Sequence, residues 1–460
     1  MVASTRASAG AVRRAKGFAR YAVSVQYHGG SFLGFTYQGP HREDCVVEQR
    51  KKSGRTTSID LRGKRSVEGR LREALDDLFG KKQWENIKVS SRTDRGVHAL
   101  KNTFHVDIKI PKKSHNDAGE SDKNGKENNG DSASNTTKEQ QQQQQKLLLQ
   151  HNFTLQKSIE RKLKDGLNFY LSRQSHGFET NHPKARGNNP LMNEMRILSA
   201  SKSPEYMDNH YALTEDGKAK NQTFRVDWNA RFSATQRTYV YRILCYCRPQ
   251  KEQQQQQQPP SSENAPEEMD ERSSRSTSIG WDSYGIPFEW DRAWCHPQSH
   301  AHPLDVEAMK EAASYLVGTH DFSSFRGKLC VRRSPIVTME SVTVGEAQPS
   351  GSELLAGGTT DSQPQQQQKL VTLTFVANSF LYRQVRNMVG CLVEVGKQHG
   401  GNNLSPRDVG DLLARSWNHE ESEGADPGRS TATNFKHRPY STAPPQGLFL
   451  VDVKHGNFRF

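Results

Sequence analysis

The densest group of reactive side chains lies in one short segment between two predicted strands. Residues 90–99 read SSRTDRGVHA, which brings Arg92, Asp94 and His98 close together in the chain. A carboxylate beside a guanidinium can act as a nucleophile or a general base, and Gly96 permits an unusual backbone angle. Loops held between strands often carry catalytic side chains. The alternative is a polar turn with an exposed ion pair.

Two further clusters combine aromatic and basic residues. Within the run RTYVY, Arg237, Tyr239 and Tyr241 share one face of an extended strand and could form a stacking platform for a base. The run DFSSFR, which contains Phe325 and Arg326, suits unstacked nucleotides. The alternatives are a half-buried strand and a helix-to-strand connection with phenylalanine in the core.

A fourth cluster is basic. Arg383 and Arg386 lie three positions apart on a predicted helix and could point together toward phosphates, or could line a solvated helix face. The whole chain of 460 residues has a formal net charge of +13, which suits a polyanionic partner such as nucleic acid. Basic residues in inserted segments could also produce this surplus.

Periodicity places these clusters on a mixture of strands and helices. Strands are predicted at residues 21–27, 87–90, 103–110, 237–245, 370–376 and 447–453. Helices are predicted at residues 67–79 after the N-cap Ser66, at 155–170, 305–317 and 383–395, and from residue 406. Because the two types do not alternate strictly, an α+β fold is predicted.

Several low-complexity segments interrupt this pattern. Residues 112–146, 249–278, 345–369 and 418–430, and a lesser segment at 41–64, are too polar to offset chain entropy and are predicted to be disordered inserts. We predict a basic arm or transit segment at 1–20 and two domains at 21–222 and 223–460. Six scattered cysteines predict a reduced intracellular compartment, and the lack of an apolar run near 20 residues predicts no membrane span.

The motifs, taken in order, resemble those of the TruA-type tRNA pseudouridine synthases. Residues 92–99 are similar to the signature loop of that family, and further similar runs follow at residues 26–35, 66–69, 232–241, 321–326, 385–396 and 447–451. The resemblance covers somewhat more than half of the chain, and the long inserts favour a eukaryotic member. It implies two ferredoxin-like α+β halves with a joined antiparallel or mixed sheet and a central basic cleft.

The resemblance also implies an activity. Family members isomerise uridine to pseudouridine in tRNA, usually at positions 38–40 of the anticodon stem-loop, as homodimers without metal or organic cofactor. By match, Asp94 is the nucleophile, Arg92 pairs with it or fills the space of the flipped base, and Tyr239 stacks on the target base. The matched substrate-binding residues are Arg386, Phe325, Arg326, Arg237, Gly96 and His98.

Three other functions remain open from the sequence. A non-catalytic RNA-binding protein of this fold would be expected to lack Asp94 or Tyr239, and both are present. An aspartic hydrolase needs a second nearby carboxylate, which no matching acidic loop supplies. A zinc enzyme would lack standard ligand spacing, although candidate ligands occur at Cys245 and Cys247 with Cys295, His296, His300 or His302.

Two questions are left open by the residues. Arg95 follows Asp94 where the family often has a small residue, so the target uridine is not fixed. The acid-free, arginine-containing N-terminal segment is typical of organelle transit peptides and equally of RNA-contacting arms. We therefore expect an intracellular location in the cytoplasm or nucleus or in the mitochondrion.

Overall fold

The computed structural model describes residues 14–36, 46–50, 56–60, 66–111, 133–174, 194–209, 224–247, 291–298, 304–347, 369–397, 404–417, 438–456 and 458. The chain divides into two compact units, the first formed by Met1–Arg95, Ala99–Thr235 and Asp452–Phe460, the second by Gly96–His98 and Gln236–Val451. Both contain strands and helices, so the α+β class is confirmed. The cleft and the boundary at residue 222 stay predictions.

The sheet of the first unit carries the loop that contains Asp94. Its strands are β1 (Phe18–Tyr27), β4 (Trp84–Val89), β5 (His98–Lys109) and β6 (Met195–Lys202). β1 is antiparallel to both β5 and β6, and β4 is antiparallel to β5. The loop joins β4 to β5, as the sequence predicts.

Two short hairpins accompany this sheet. β2 (Val46–Arg50) pairs with β3 (Thr56–Asp60), and β7 (Tyr206–Asn209) pairs with β8 (Phe224–Asp227), both antiparallel. The β2–β3 pair falls inside residues 41–64, which the sequence assigned to a lesser insert. β-Branched residues, Val46 and Val47 in β2 and Thr56, Thr57 and Ile59 in β3, favour extended backbone even in a polar segment.

Helix α1 (Val67–Phe79) begins and ends where the sequence predicts. The Ser66 hydroxyl accepts a hydrogen bond from the Gly69 amide at 3.0 Å, which satisfies one of the unpaired amides at the helix start. Gly80 ends the helix with φ +90°. Leu71 and the neighbouring apolar side chains on one face are fully buried.

Helix α2 (Ala133–Arg161) corrects one expectation. Residues 133–146, which include the glutamine run, are helical rather than part of a disordered insert, and the helix starts well before the predicted residue 155. Glutamine has a favourable helix propensity, so a polar run can extend a helix whose other end is packed. A π-helical turn (Lys162–Gly166) and α3 (Leu167–Gln174) follow, with Leu163 and Leu167 fully buried.

The sheet of the second unit contains six strands. They are β9 (Gln236–Cys247), β10 (Trp294–Gln298), β11 (Gly318–Asp321), β12 (Ile336–Ala347), β13 (Lys369–Ala377) and β14 (Leu448–Lys454), whose residues from Asp452 onward belong to the first unit. The order is β11-β12-β13-β9-β14, with β10 parallel to β9. Residues 345–347 and 369 belong to β12 and β13, so that predicted insert is shorter; residues 249–278 and 418–430 lie outside the described residues.

Three helices complete the second unit: α4 (Val306–Ser314), α5 (Gln384–Gly396) and α6 (Pro406–Trp417). α5 starts one residue later than predicted, because Arg383 is its N-cap residue with φ +59°. The sequence had indicated that Arg383 and Arg386 share one face of the helix. Because Arg383 lies outside the helix, they do not. No helix in the described part of the chain is both long enough and apolar enough to cross a membrane.

Candidate active site

The loop at residues 90–95 is attached to the first unit by buried hydrogen bonds. The Asn102 amide group donates to the carbonyl oxygen of Ser91 at 2.8 Å, from its position on β5. The hydroxyls of Tyr27 and Thr93 are hydrogen-bonded at 2.8 Å. Because these partners lie on two paired strands, the backbone on both sides of Arg92 is fixed by the sheet.

The turn after β1 packs directly against the same loop. The Phe35 amide donates to the carbonyl oxygen of Thr93 at 3.2 Å. Gly34 has φ +107°, and a β-carbon placed there would lie 2.9 Å from the Thr93 carbonyl oxygen. Only glycine fits without moving the loop backbone, which explains this glycine in the run at residues 26–35.

The loop presents its charged side chains toward its surface. Asp94 is half-buried, whereas Arg92 and Arg95 are exposed. A carboxylate on a fixed backbone with cations on both sides in the chain can serve as a nucleophile or as a general base. The predicted pairing of Arg92 with Asp94 is consistent with this placement and stays a prediction.

His455 joins the start of this loop to a second segment. Its Nε2 is hydrogen-bonded to the Ser90 hydroxyl at 3.3 Å, and its Nδ1 to the Ser233 hydroxyl at 2.9 Å. His455 is only 4% exposed and lies beside the ring of Trp228, with ring centres 5.5 Å apart. Sequence reasoning missed His455, because a single histidine near the end of a strand carries no distinguishing pattern.

The segment at residues 228–235 is also hydrogen-bonded to side chains of β1 and β5. Arg20 forms a bidentate ion pair with Asp107 at 2.6 and 2.7 Å and donates to the carbonyl oxygen of Trp228 at 2.7 Å. The Nδ1 atom of His105 accepts a hydrogen bond from the Ala230 amide at 3.0 Å. Burial, followed by the positive charges of Arg20 and Lys88, holds the pKa of His105 well below its usual value.

In the second unit, Gly96 and His98 both pack against neighbouring side chains. Gly96 has φ +79°, and a β-carbon there would lie 2.9 Å from Cγ of Pro445. The His98 ring is 2% exposed and stacks on Phe449 with centres 4.5 Å apart and planes inclined by 14°. Their predicted substrate contacts are not tested by these packing interactions and stay predictions.

Tyr239 lies on β9 in a largely buried position. It is 6% exposed, and its ring meets that of Phe380 edge-on at 5.1 Å. On the same strand Arg237 donates to the carbonyl oxygen of Asn378. An aromatic ring at the margin of a core with a polar tip is compatible with the predicted stacking role.

Arg386 on α5 is half-buried, and its Nε donates to the carbonyl oxygen of Ala443 at 2.7 Å. This bond orients the guanidinium along the chain that approaches β14. The substrate-binding roles of Arg386 and Arg237 stay predictions.

Phe325 and Arg326 lie in a densely packed connection. Phe325 has no exposed surface and stacks on Tyr440 with ring centres 5.8 Å apart. The Arg326 guanidinium, on a side chain 7% exposed in total, donates to the carbonyl oxygens of Cys330 and Arg332 at 3.0 Å each. The Phe325 ring packs in the core in this arrangement, and the predicted substrate-binding roles of Phe325 and Arg326 stay predictions.

The candidate zinc ligands are only partly assembled. His296 is opposite Cys245 in the parallel pairing of β10 with β9, and Cys295 is opposite Leu244. Within the described ranges, no group of three or more histidine, cysteine, aspartate or glutamate side chains could hold a metal ion.

Comparison with known proteins gives consistent matches. The family model described as tRNA pseudouridine synthase matches residues 312–455. The human protein named tRNA pseudouridine synthase-like 1 is 33% identical over 51% of this chain and 58% of its own length. The tRNA pseudouridine synthase A of Ehrlichia canis is 28% identical over 50% of this chain and 60% of its own, and the mouse synthase-like 1 protein is 31% identical over 52% and 61%.

The mixed α+β arrangement is consistent with the pseudouridine synthase fold, and the matched family model covers part of the second unit. The chain is therefore similar to tRNA pseudouridine synthases, in keeping with the resemblance of its motifs to the TruA-type family. It spans about six tenths of the length of the curated relatives it matches.

Proposed function

We propose that this protein isomerises uridine to pseudouridine in tRNA, with Asp94 as the nucleophile. The observation that carries the proposal is the half-buried carboxylate of Asp94 on a loop whose backbone is fixed by Tyr27 and Asn102. Similarity to relatives named tRNA pseudouridine synthases supports the choice of reaction.

The reaction needs a nucleophile and a route for one proton. The target uridine leaves the RNA stack, and its N1–C1′ glycosidic bond breaks while Asp94 attacks the sugar or the base. The uracil turns and C5 bonds to C1′, and the covalent bond to Asp94 breaks so that the carboxylate is released. C5 loses its proton and N1 gains one, so atoms and charge balance. Covalent attack divides one difficult step into easier ones.

The other residues are proposed from the resemblance. Arg92 orients Asp94 or fills the space that the flipped base leaves, which suits an exposed guanidinium on a fixed loop. Tyr239 stacks on the target base and accepts the proton from C5. Gly96, His98, Arg237 and Arg386 support substrate binding in the second unit.

We extend the proposal to the substrate and the assembly. The target lies in the anticodon stem-loop, the working form is a homodimer, and the tRNA pool is intracellular. Because relatives in bacteria and in mammals match similarly, the test below uses tRNAs from both the cytosol and the mitochondrion.

Tritium release tests the reaction and the nucleophile together. The substrate is tRNA labelled with tritium at C5 of uridine, because that label is lost only when C5 becomes the glycosidic carbon. We expect Asp94→Asn and Asp94→Ala to lower the rate at least about 10³-fold, as loss of a covalent nucleophile does in other enzymes. Asp165→Asn, which changes an exposed carboxylate on the π-helical turn, should match wild type.

Two results would change the proposal. Equal release by wild type and by the Asp94 variants would keep the isomerase activity and reject Asp94 as nucleophile. No release by wild type from any tRNA pool would reject the activity and favour an RNA-binding protein that retains the fold.

A further inference from the structure

Two attached segments of the first unit each present an exposed arginine. Arg92 lies on the loop at residues 90–95, and Arg231 lies on the segment at residues 228–235. We call Arg92 and Arg231 the arginine pair. The sequence analysis assigned no function to Arg231.

One buried ring holds the two segments together. His455 is hydrogen-bonded to the Ser90 hydroxyl through Nε2 and to the Ser233 hydroxyl through Nδ1, at 3.3 and 2.9 Å. Arg92 is two residues beyond Ser90, and Arg231 is two residues before Ser233. Both arginines therefore leave the backbone close to the same imidazole, on segments that the sheet fixes.

The segment that carries Arg231 has little freedom. Its start is fixed by the bonds from Arg20 to Trp228 and from Ala230 to His105. Its end is fixed by the Thr235 amide, which donates to the carbonyl oxygen of Lys454 at 2.9 Å. An arginine whose backbone is already ordered loses less entropy when it binds an anion.

The charges of the arginine pair act on each other. The pKa of Arg231 lies below its usual value, first because its guanidinium is partly removed from water and then because of the positive charge of Arg92. Two cations that the fold holds close together repel, and an anion bound between them removes that repulsion. Guanidinium groups bind phosphate oxygens in bidentate geometry, which is why arginine is favoured at such sites.

We propose that Arg231 binds one backbone phosphate of the RNA next to the nucleotide that the Asp94 loop receives, and that the positive charge of Arg92 adds to the attraction at this position. This rests on the proposed function, because RNA is the polyanion that this loop would meet. Arg231 is then an affinity-determining residue that positions the RNA strand, whereas Asp94 carries out the chemistry.

Salt dependence of tRNA binding tests the proposal against a matched control. Arg231→Gln should weaken binding about fivefold near 0.1 M salt and lower the slope of log affinity against log salt by about 0.7–0.9. The value of kcat at saturating tRNA should stay within about twofold of wild type. Arg231→Lys keeps the charge and should restore most of the slope.

Lys109→Gln removes an equally exposed cation from the C-terminal end of β5, whereas the loop precedes the N-terminal end of that strand. It should leave the salt slope nearly unchanged. Equal losses in Arg231→Gln and Lys109→Gln would overturn the proposal, because only general attraction would then remain. A fall in kcat with unchanged KM would also overturn it, since Arg231 would then act on the chemistry instead of on a phosphate.

Replacing single phosphates of the RNA by uncharged analogues locates the phosphate that Arg231 contacts. In an anticodon stem-loop RNA, single methylphosphonates are placed on either side of the target uridine. Wild type should lose affinity at one position, and Arg231→Gln should lose nothing further there. Coupling at no position would overturn the proposal. Because binding needs no turnover, a wild type that binds tRNA without releasing tritium would reject the proposed function and leave this test intact.

Discussion

The loop at residues 90–95 and the segment at residues 321–326 are both conspicuous runs of polar, charged or aromatic residues. In the loop, neighbouring strands bind the backbone, while Arg92 is exposed and Asp94 is half-buried. In the other segment, Phe322 and Phe325 have no exposed surface, and their partners fill the space around them. The same kind of sequence signal therefore marks candidate chemistry in one unit and packing in the other, and burial separates the two.

The largest expected effect is on the packed segment. Phe325→Ala removes a fully buried ring that stacks on Tyr440 and should lower the free energy of unfolding by about 3–5 kcal/mol. Denaturant titration measures this loss, and tritium release per folded molecule should stay near wild type. Phe169→Ala, at a phenylalanine 50% exposed on α3, should cost less than about 1 kcal/mol. Unchanged stability with lost tRNA binding would show that Phe325 binds substrate after all.

The next largest effect on stability is expected at Gly34, which packs against the loop at residues 90–95. Gly34→Ala combines backbone strain at φ +107° with a β-carbon 2.9 Å from the Thr93 carbonyl oxygen, so it should cost about 2 kcal/mol and also displace the loop. Gly80→Ala is the matched control, because φ is +90° there but the nearest atom lies 3.8 Å away. We expect both variants to lose stability and only Gly34→Ala to lose tritium release per folded molecule. Equal activity in both would mean that the loop tolerates the displacement.

Acid should separate the segment at residues 228–235, which is hydrogen-bonded to His105, from the segment at residues 321–326 by a smaller difference in stability. The pKa of His105 lies well below its usual value of 6.5, so the folded protein binds fewer protons there than the unfolded chain. The stability that depends on neutral His105 is complete above pH 6.5 and is lost, by about 1.4 kcal/mol per pH unit, as the pH falls toward the folded pKa. In contrast, the phenol of Tyr440 beside Phe325 is neutral at and below pH 7, so acid does not change the charge of that support.

Hydrogen exchange measures this difference locally. The Ala230 amide, which donates to His105, should lose protection between pH 7 and pH 5 relative to the Phe325 amide, which donates to the carbonyl oxygen of Phe322. His105→Gln should flatten the pH dependence. An identical acid response in that variant would show that other groups cause the loss.

The sequence predicted most elements near the candidate site, because their signals are local. Ser66 and Gly80 bound α1 through their own capping geometry, and the loop before β5 follows from strand alternation on both sides. Contacts between residues distant in the chain left no such signal, as with His455, whose partners Ser90 and Ser233 are remote in sequence. The sequence left the burial of Phe325 open as one of two alternatives, because an aromatic residue beside arginine is compatible with either role.

The smallest effect on stability should accompany a large effect on activity. Arg92→Gln changes an exposed side chain and should alter the free energy of unfolding by less than about 0.5 kcal/mol, while tritium release falls about 100-fold. Arg95→Gln removes an equally exposed charge from the same loop and should stay within a few fold of wild type. Equal loss in both variants would mean that the total charge of the loop matters and the position of Arg92 does not. A selective loss in Arg92→Gln would complete the contrast with Phe325, where stability changes and chemistry does not.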